Sequence, residues 1–165
     1  MSDWIDPPVH FLTWRTYGTW LPGDNRGWID ERRNGYGEPT HAPDPYQENR
    51  AAAQMSGRPI TLSDELRLRV DRVIREACGW RSWSVIALNV RSNHVHLVLA
   101  GEMGNTDPLT ALKARVTKVL WDEAAIPRST RIWARGGSHR LLRRPAEVEA
   151  AMDYVMNRQG SRGRP

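Results

Sequence analysis

The chain of 165 residues contains a single cysteine, Cys78, so it can form no internal disulfide and has no thiolate cluster to hold a structural zinc ion. It also lacks an apolar run long enough to span a bilayer. Its first residues, MSDWIDPPVH, lack the basic-then-apolar order of a secretory signal. We therefore expect an intracellular protein in a reducing compartment.

Lysine is almost absent, because Lys113 and Lys118 are the only lysines among 24 basic residues. The formal net charge is +5 and the isoelectric point is near 10.0. Arginine binds phosphate oxygens in pairs and stacks on bases, so this bias favours a polyanionic partner. A GC-rich genome that favours arginine codons would produce the same bias, so the positions of the arginines must distinguish the two explanations.

The composition predicts a folded chain, since 39% of the residues are hydrophobic and eight are tryptophans. Its length suits one domain, which we expect to cover residues 1–165. A stretch at about 21–58 is rich in Gly, Pro, Asn and Asp and is predicted to be a long loop insertion. Within it, Asp44 and Pro45 could begin a short helix that runs through Met55.

The predicted elements outside this insertion are four strands and three helices. Periodicity and turn residues predict, in order, a strand Val9–Arg15, a helix from the N-cap Ser63 to Gly79, a hairpin of Trp83–Val90 and His94–Ala100, a helix Leu109–Ala124, a strand Ile132–Leu142 interrupted by Gly136 and Gly137, and a last helix from Pro145 to about Asn157. This order is typical of an α+β, ferredoxin-like antiparallel sheet with helices packed on one face and an extra C-terminal helix.

Two histidines interrupt an apolar strand in the segment RSNHVHLVLA. Side chains alternate across a strand, so His94 and His96 share one face with Val98, while the opposite face is aliphatic and should pack on helices. The two imidazoles would lie on the order of 6–7 Å apart, close enough to meet one ion. They could equally be ordinary hydrogen-bonded strand residues.

Tyr154 lies on the last predicted helix, in PAEVEAAMDYVMNRQG. At about 100° per residue it falls some 120° from Val148, at the flank of the apolar stripe. A tyrosine in this position is usually amphipathic cover, but it is also a candidate nucleophile. Asn157 and Gln159 follow it and could each offer an amide oxygen to a metal ion.

The pair His94 and His96 with a downstream Tyr154 resembles the single-tyrosine HUH transposases, the IS200-like and REP-associated group. The resemblance covers most of the chain. Four segments carry it besides the residues just named: WRTYGTWLPGDNRGW, NVRSNHVHLVL, ALKARVTKVLW and IWARGGSHRLL.

The resemblance implies a transposase that cuts and rejoins single-stranded DNA at hairpin-flanked ends. His94 and His96, with a ligand from the tyrosine helix, would hold one Mg²⁺ or Mn²⁺ ion, and Tyr154 would form a 5′-phosphotyrosine. Relatives include dimers that exchange their tyrosine helices, so a homodimer is also expected by analogy. A protein that acts on DNA would be cytoplasmic and associated with the nucleoid.

The third metal ligand departs from the family pattern. Members often place it four residues after the tyrosine, where this chain has Arg158, which cannot coordinate a cation. Asn157 is better placed on an unbroken helix, whereas Gln159 matches the family's ligand by residue type but requires the helix to unwind. Both residues stay candidates, with a slight preference for Gln159.

Basic residues accumulate between Ala124 and Ala146, a stretch with no acidic residue. Glycines let backbone amides approach phosphates, and neighbouring arginines add charge-assisted hydrogen bonds. A solvated strand and turn is the alternative. The predicted DNA-binding residues of this stretch are Arg131, Arg135, Gly136, Gly137, His139 and Arg140, and Arg115 and Lys118 on the preceding helix form a second candidate.

Two other functions compete with transposition. Arg158 at the usual ligand position is compatible with a non-catalytic module that binds single-stranded or hairpin DNA. A metal-activated water could also hydrolyse DNA without any protein-linked product.

Overall fold

The computed structural model describes residues 5–28 and 41–157. These ranges contain four strands and four helices, in the order β1 (Val9–Arg15), α1 (Pro45–Ala53), α2 (Asp64–Trp80), β2 (Ser84–Val90), β3 (His94–Ala100), α3 (Pro108–Asp122), β4 (Ser138–Leu142) and α4 (Pro145–Asn157). None of the helices in the described ranges is long and apolar enough to cross a membrane.

The four strands form one sheet in the order β2-β3-β1-β4, and every neighbouring pair is antiparallel. The β2–β3 hairpin is local, but β1 and β3 pair across a long separation in the chain and form the centre of the sheet. The α+β fold with an antiparallel sheet, as predicted from the element order, is confirmed.

One face of the sheet is aliphatic and packs on α2 and α3. Val95, Leu97 and Leu99 of β3 are fully buried there. Each of the two helices has an apolar stripe along one side, and β3 has apolar side chains on one face. These apolar surfaces pack against each other. The helix residues in this core include Val70, Val73, Ile74, Leu112, Val116 and Leu120.

The other face of the sheet carries α4. Ala151 and Val155 are buried against Val98 of β3 and Leu142 of β4. The Asn89 side-chain amide of β2 also donates a hydrogen bond to the Val155 carbonyl at 2.9 Å. This contact anchors the last turn of α4 to β2, at one edge of the sheet.

Several predicted boundaries differ from the structure, three of them at positions with left-handed or otherwise positive φ values. Gly79 does not end α2, which continues through Trp80 and turns at Ser82, where φ is +57°. The helix predicted to reach Ala124 ends at Asp122, before the left-handed backbone of Ala124 with φ of +53°. The strand predicted from Ile132 begins only at Ser138, because Gly136 and Gly137 take positive φ values that break extended pairing.

The short helix predicted within the insertion is present. Asp44 caps α1 by accepting hydrogen bonds from the backbone amides of Tyr46 and Gln47, and Pro45 occupies its first turn. The helix ends at Ala53, two residues before the predicted Met55. Backbone hydrogen bonds from Asp44 to Gly23 and from Ile60 to Tyr17 join this segment to the part of the chain that follows β1.

Gly137 has a conformation that only glycine adopts without strain. Its φ is +143°, and an added Cβ would lie 2.8 Å from the Thr13 carbonyl oxygen. We expect Gly137→Ala to lower the free energy of unfolding by about 3 kcal/mol, the upper end of the cost of such strain. Urea denaturation followed by circular dichroism measures the change.

Gly104→Ala is the matched control for this substitution. Gly104 also has a positive φ, +55°, but no atom lies within 4 Å of its added Cβ. The expected loss is about 1 kcal/mol, the intrinsic cost of a left-handed alanine. Equal losses in the two variants would show that the contact with Thr13 does not limit position 137.

Candidate active site

His94 and His96 lie next to each other on the face of β3 that α4 partly covers. Their ring centroids are 4.7 Å apart and the rings are nearly perpendicular, at 78°. In the sheet, His96 stands opposite Thr13 of β1 and Asn89 of β2, and His94 stands opposite Arg15 of β1. His96 is buried, with 6% of its surface exposed, whereas His94 is half-buried at the end of the strand.

Tyr154 reaches the same place from α4. Its ring meets the His96 ring edge-on, with centroids 5.4 Å apart and an angle of 85° between the planes. Phe11 of β1 contacts both rings, at 5.9 Å from His96 and 6.2 Å from Tyr154. Because the buried Val155 and Ala151 anchor the helix, Tyr154 sits at the flank of the apolar stripe and stays 42% exposed.

Hydrogen bonds hold the Nδ1 atom of each site histidine. The Thr13 hydroxyl lies 2.9 Å from Nδ1 of His96. The side-chain oxygen of Asn93 lies 2.6 Å from Nδ1 of His94. A neutral imidazole that donates a hydrogen bond from Nδ1 has its lone pair on Nε2, and Nε2 is then the nitrogen that could coordinate a cation.

The donor set fits a divalent cation that accepts nitrogen and oxygen ligands. Within 5–28 and 41–157, no group of three or more His, Cys, Asp or Glu side chains could hold a metal ion. The two imidazoles of His94 and His96 therefore have no third His, Cys, Asp or Glu beside them in this part of the chain, where a further protein ligand would have to be an amide or hydroxyl oxygen. The amide nitrogen of Asn157 donates to Asp153 at 2.9 Å, and Gln159 lies outside the described residues.

The sheet separates the predicted DNA-binding residues. Arg140 stands opposite Phe11 and therefore shares the face of His96 and Tyr154. His139, its neighbour in β4, points to the other face. Arg115 and Lys118 lie on α3, also behind the sheet, where Arg115 stacks over Trp80 at 4.5 Å and Lys118 pairs with Asp122 at 2.7 Å.

The remaining members of the predicted track flank β4. Arg135, Gly136 and Gly137 are exposed immediately before the strand, and Lys113 donates hydrogen bonds to the carbonyls of Ala134 and Gly136. The guanidinium of Arg131 lies over the Tyr17 ring at 4.7 Å. A lysine that holds the carbonyls gives this turn a defined shape.

His139 belongs to a second histidine pair. Its Nε2 lies 2.8 Å from Nδ1 of His10, and Nε2 of His10 lies 3.1 Å from the Gly101 carbonyl oxygen. Burial lowers the pKa of His10 and the charge of His139 lowers it further, against raising contributions from the Gly101 carbonyl and Glu102. The His139 residue as a whole is exposed, but partial burial of its ring also lowers its pKa. The negative charge of Asp107 acts in the opposite direction and raises that pKa.

Sequence reasoning missed several residues around the site histidines. Thr13, Arg15 and Asn89 reach the site only through strand pairing, so no local pattern identifies them. Alternation along β1 does place Thr13 and Arg15 on one face with Phe11, but it cannot say which strand lies beside them. Asn93 directly precedes the histidine pair, but a polar residue between two strands is typical of a hairpin link, so its contact with His94 has no distinctive sequence signal.

Comparison with known proteins identifies the family. The family model described as "Transposase IS200 like" matches residues 54–157, which is more than half of the chain. The chain belongs to the IS200-like transposase family. A search of curated proteins found no match.

Two solved structures resemble this IS200-like transposase. A REP-associated tyrosine transposase bound to a REP hairpin aligns with a TM-score of 0.52 at 13% identity, covering 92% of this chain and 66% of that one, just under two thirds of its length. A protein described as a transposase from Deinococcus radiodurans R1 aligns with a TM-score of 0.48 at 14% identity, over 86% of this chain and 84% of that one. The first likeness supports the fold.

The His10–His139 pair predicts a pH dependence of the transposase's stability. The fold lowers both pKa values, so it favours neutral imidazoles, and the unfolded chain binds more protons as the pH falls below about 6.5. Stability should therefore be complete above that pH and decrease below it. We expect His139→Gln to lose less stability than the wild type between pH values of about 7.5 and 5.5.

Urea unfolding midpoints at the two pH values measure this difference. The two proteins are compared by the change within each of them, so a loss of the His10–His139 contact at the higher pH does not affect the result. Parallel decreases in both proteins would show that the pair does not contribute to the acid sensitivity.

Proposed function

We propose that this transposase cleaves and rejoins single-stranded DNA through a 5′-phosphotyrosine intermediate, with a divalent metal ion, at ends flanked by hairpins. The convergence of two imidazoles and one half-exposed phenol on one face of the sheet supports this function most directly. Membership of the IS200-like family supports the reaction class.

Tyr154 is the proposed nucleophile. Its phenolic oxygen loses its proton and attacks the scissile phosphorus, a new P–O bond to tyrosine forms, and the bond from phosphorus to the 3′ oxygen breaks. That oxygen leaves as a 3′-hydroxyl after it takes up a proton. The phosphotyrosine ester conserves the energy of the phosphodiester, so a 3′-hydroxyl from the same or another strand can reverse the step without ATP.

His94 and His96 are the proposed metal ligands, with Asn157 or Gln159 as the third. A bound Mg²⁺ or Mn²⁺ ion would withdraw charge from the phosphate oxygens. The two imidazoles are neutral ligands and leave the charge of the cation undiminished. The contact between the rings of His96 and Tyr154 supports this role, because a phosphate attacked by the tyrosine would lie close to His96.

The proposed DNA path follows the site face of β4. Arg140 lies on that face, and the exposed Arg135, Gly136 and Gly137 continue it at the start of the strand. Arg131 stays a candidate beside this turn. His139, Arg115 and Lys118 lie on the other side of the sheet, so they would contact only DNA that passes around its edge.

A non-catalytic DNA-binding protein is the second candidate. Arg158 stands where many relatives carry a metal ligand, and a chain that had lost its metal would keep the fold and the basic track. The two candidates differ in one product, the covalent protein–DNA adduct.

Replacing the proposed nucleophile tests the reaction directly. Wild-type protein incubated with labelled single-stranded hairpin DNA and Mn²⁺ should form an adduct that survives denaturing electrophoresis. Tyr154→Phe should form none, a loss of at least about 10³-fold, because no oxygen is left to attack phosphorus. Binding measured by fluorescence anisotropy should change less than about threefold, because the ring contacts with His96 and Phe11 are kept.

Tyr46→Phe is the control for this experiment. Tyr46 is 76% exposed on α1, so its hydroxyl can be removed without disturbing the core, and the adduct should form at the wild-type rate. An adduct in Tyr154→Phe would remove Tyr154 from its role. Cleavage by the wild type without any adduct would instead indicate hydrolysis by water, and binding without cleavage would favour the non-catalytic candidate.

The position of the DNA path gives a separate prediction. Arg140→Ala should weaken binding of single-stranded DNA about 5-fold and reduce the slope of log affinity against log salt by about 1, because one phosphate contact is lost. Lys118→Ala, on the far side of the sheet, should leave both quantities near the wild-type values. Fluorescence anisotropy over a salt series measures them, and equal losses in the two variants would contradict a path on the site face.

A further inference from the structure

We propose that Asn93 and Thr13 are positioning residues that hold both site histidines with Nδ1 toward the protein, so that both present Nε2 to the metal ion. The inference rests on the proposed function only in naming a metal ion as the group that Nε2 binds. The hydrogen bonds that carry it are properties of the chain itself.

Asn93 determines the tautomer of His94. Its side-chain oxygen lies 2.6 Å from Nδ1 of His94, and an amide oxygen can only accept a hydrogen bond. Nδ1 of His94 therefore carries the ring proton and donates the hydrogen bond. A neutral imidazole has one proton, so Nε2 carries the lone pair that a metal ion needs.

The backbone of Asn93 is fixed by contacts with the end of β1. Its carbonyl oxygen accepts hydrogen bonds from the Thr16 amide at 2.9 Å and the Thr16 hydroxyl at 3.2 Å. The Thr19 hydroxyl lies 3.5 Å from the same oxygen. The link between β2 and β3 is therefore tied to the neighbouring strand, and the Asn93 side chain starts from a defined position beside His94.

Thr13 holds the second histidine from the adjacent strand. Thr13 and His96 are direct partners in the β1–β3 pairing, and the Thr13 hydroxyl lies 2.9 Å from Nδ1 of His96. A hydroxyl can donate or accept, so it gives buried Nδ1 a partner in either tautomer. Only the tautomer with a proton on Nδ1 has a lone pair on Nε2, and in that tautomer the hydroxyl oxygen of Thr13 accepts a hydrogen bond from Nδ1–H.

The two contacts together orient the rings. Nε2 is the imidazole nitrogen farther from the backbone, so a ring with Nδ1 held near the sheet extends Nε2 outward. Partners of this kind fix ring orientation in known metal sites, and their removal typically weakens metal binding by about 10–100-fold. Asn93 and Thr13 come from different segments, yet they act on the same atom of each ring.

The tautomers can be read without metal or DNA. In the full-length protein labelled with ¹⁵N-histidine, at a pH of about 8 where free imidazole is neutral, two-bond ¹⁵N–¹H correlation spectra assign the protonated nitrogen of each ring. We expect Nδ1–H for both His94 and His96 in the wild type. An Nε2–H tautomer at either ring would overturn the inference for that residue, whatever the protein does with DNA.

Substitutions then separate positioning from general stability. Asn93→Ala should shift His94 toward the Nε2–H form and weaken Mn²⁺ binding, measured by electron paramagnetic resonance, by about 10–100-fold. Thr13→Val should weaken Mn²⁺ binding similarly, and Thr13→Ser, which keeps the hydroxyl, should restore it. Ser92→Ala, in the same hairpin link, is the control and should keep both the wild-type tautomers and the wild-type affinity.

The outcomes distinguish this inference from the proposed function. The positioning role would be refuted if Asn93→Ala bound Mn²⁺ with wild-type affinity. It would also be refuted if Thr13→Ser bound Mn²⁺ as weakly as Thr13→Val does. Either result would count even if DNA cleavage were normal. A wild type with both Nδ1–H tautomers and no covalent DNA adduct would refute the proposed reaction and leave the positioning contacts standing. If Asn93→Ala fails to fold, the wild-type spectrum and the Thr13 pair still decide the question.

Discussion

The pairing of β1 with β3 is the constraint on which the site depends. It sets Thr13 opposite His96 and Arg15 opposite His94, and it places Phe11 beside the ring that Tyr154 meets. A shift of the register by one residue would turn every side chain of one strand to the opposite face. The fully buried Val95, Leu97 and Leu99 oppose such a shift, because it would replace them in the core with two histidines.

The two faces of the sheet have different roles: one forms most of the hydrophobic core, and the other carries the site. The aliphatic face buries the apolar surfaces of α2 and α3 and supplies most of the core. The opposite face therefore needs only a small apolar cluster around Ala151 and Val155 to hold α4. That small contact leaves room beside the helix, and Tyr154 can pack on His96 while keeping almost half of its surface exposed.

Charge follows the same division. The acidic residues Asp122 and Glu123 at the end of α3 pair with basic side chains of α2, α3 and the loop after α3, so much of the arginine on the helix side is neutralised within the protein. The segment that contains β4 has no acidic residue. A polyanion would therefore be attracted to the β4 edge of the sheet more strongly than to the helices. This distribution supports a DNA path along β4 better than the total charge does.

Local properties of the chain were predictable from the sequence. The element types, the shared face of His94 and His96 and the flanking position of Tyr154 depend on residues close together in the chain, where periodicity and turn chemistry act. Tertiary structure decided what lies beside those residues, including Thr13 against His96 and the position of Arg140, rather than His139, on the face of the site histidines. The observed end of α2 also differs from the predicted one, because Gly79 stays helical where its neighbours continue the helical hydrogen bonding. Strand register and helix docking depend on the packing of segments distant in sequence, and no periodicity within one segment encodes that packing.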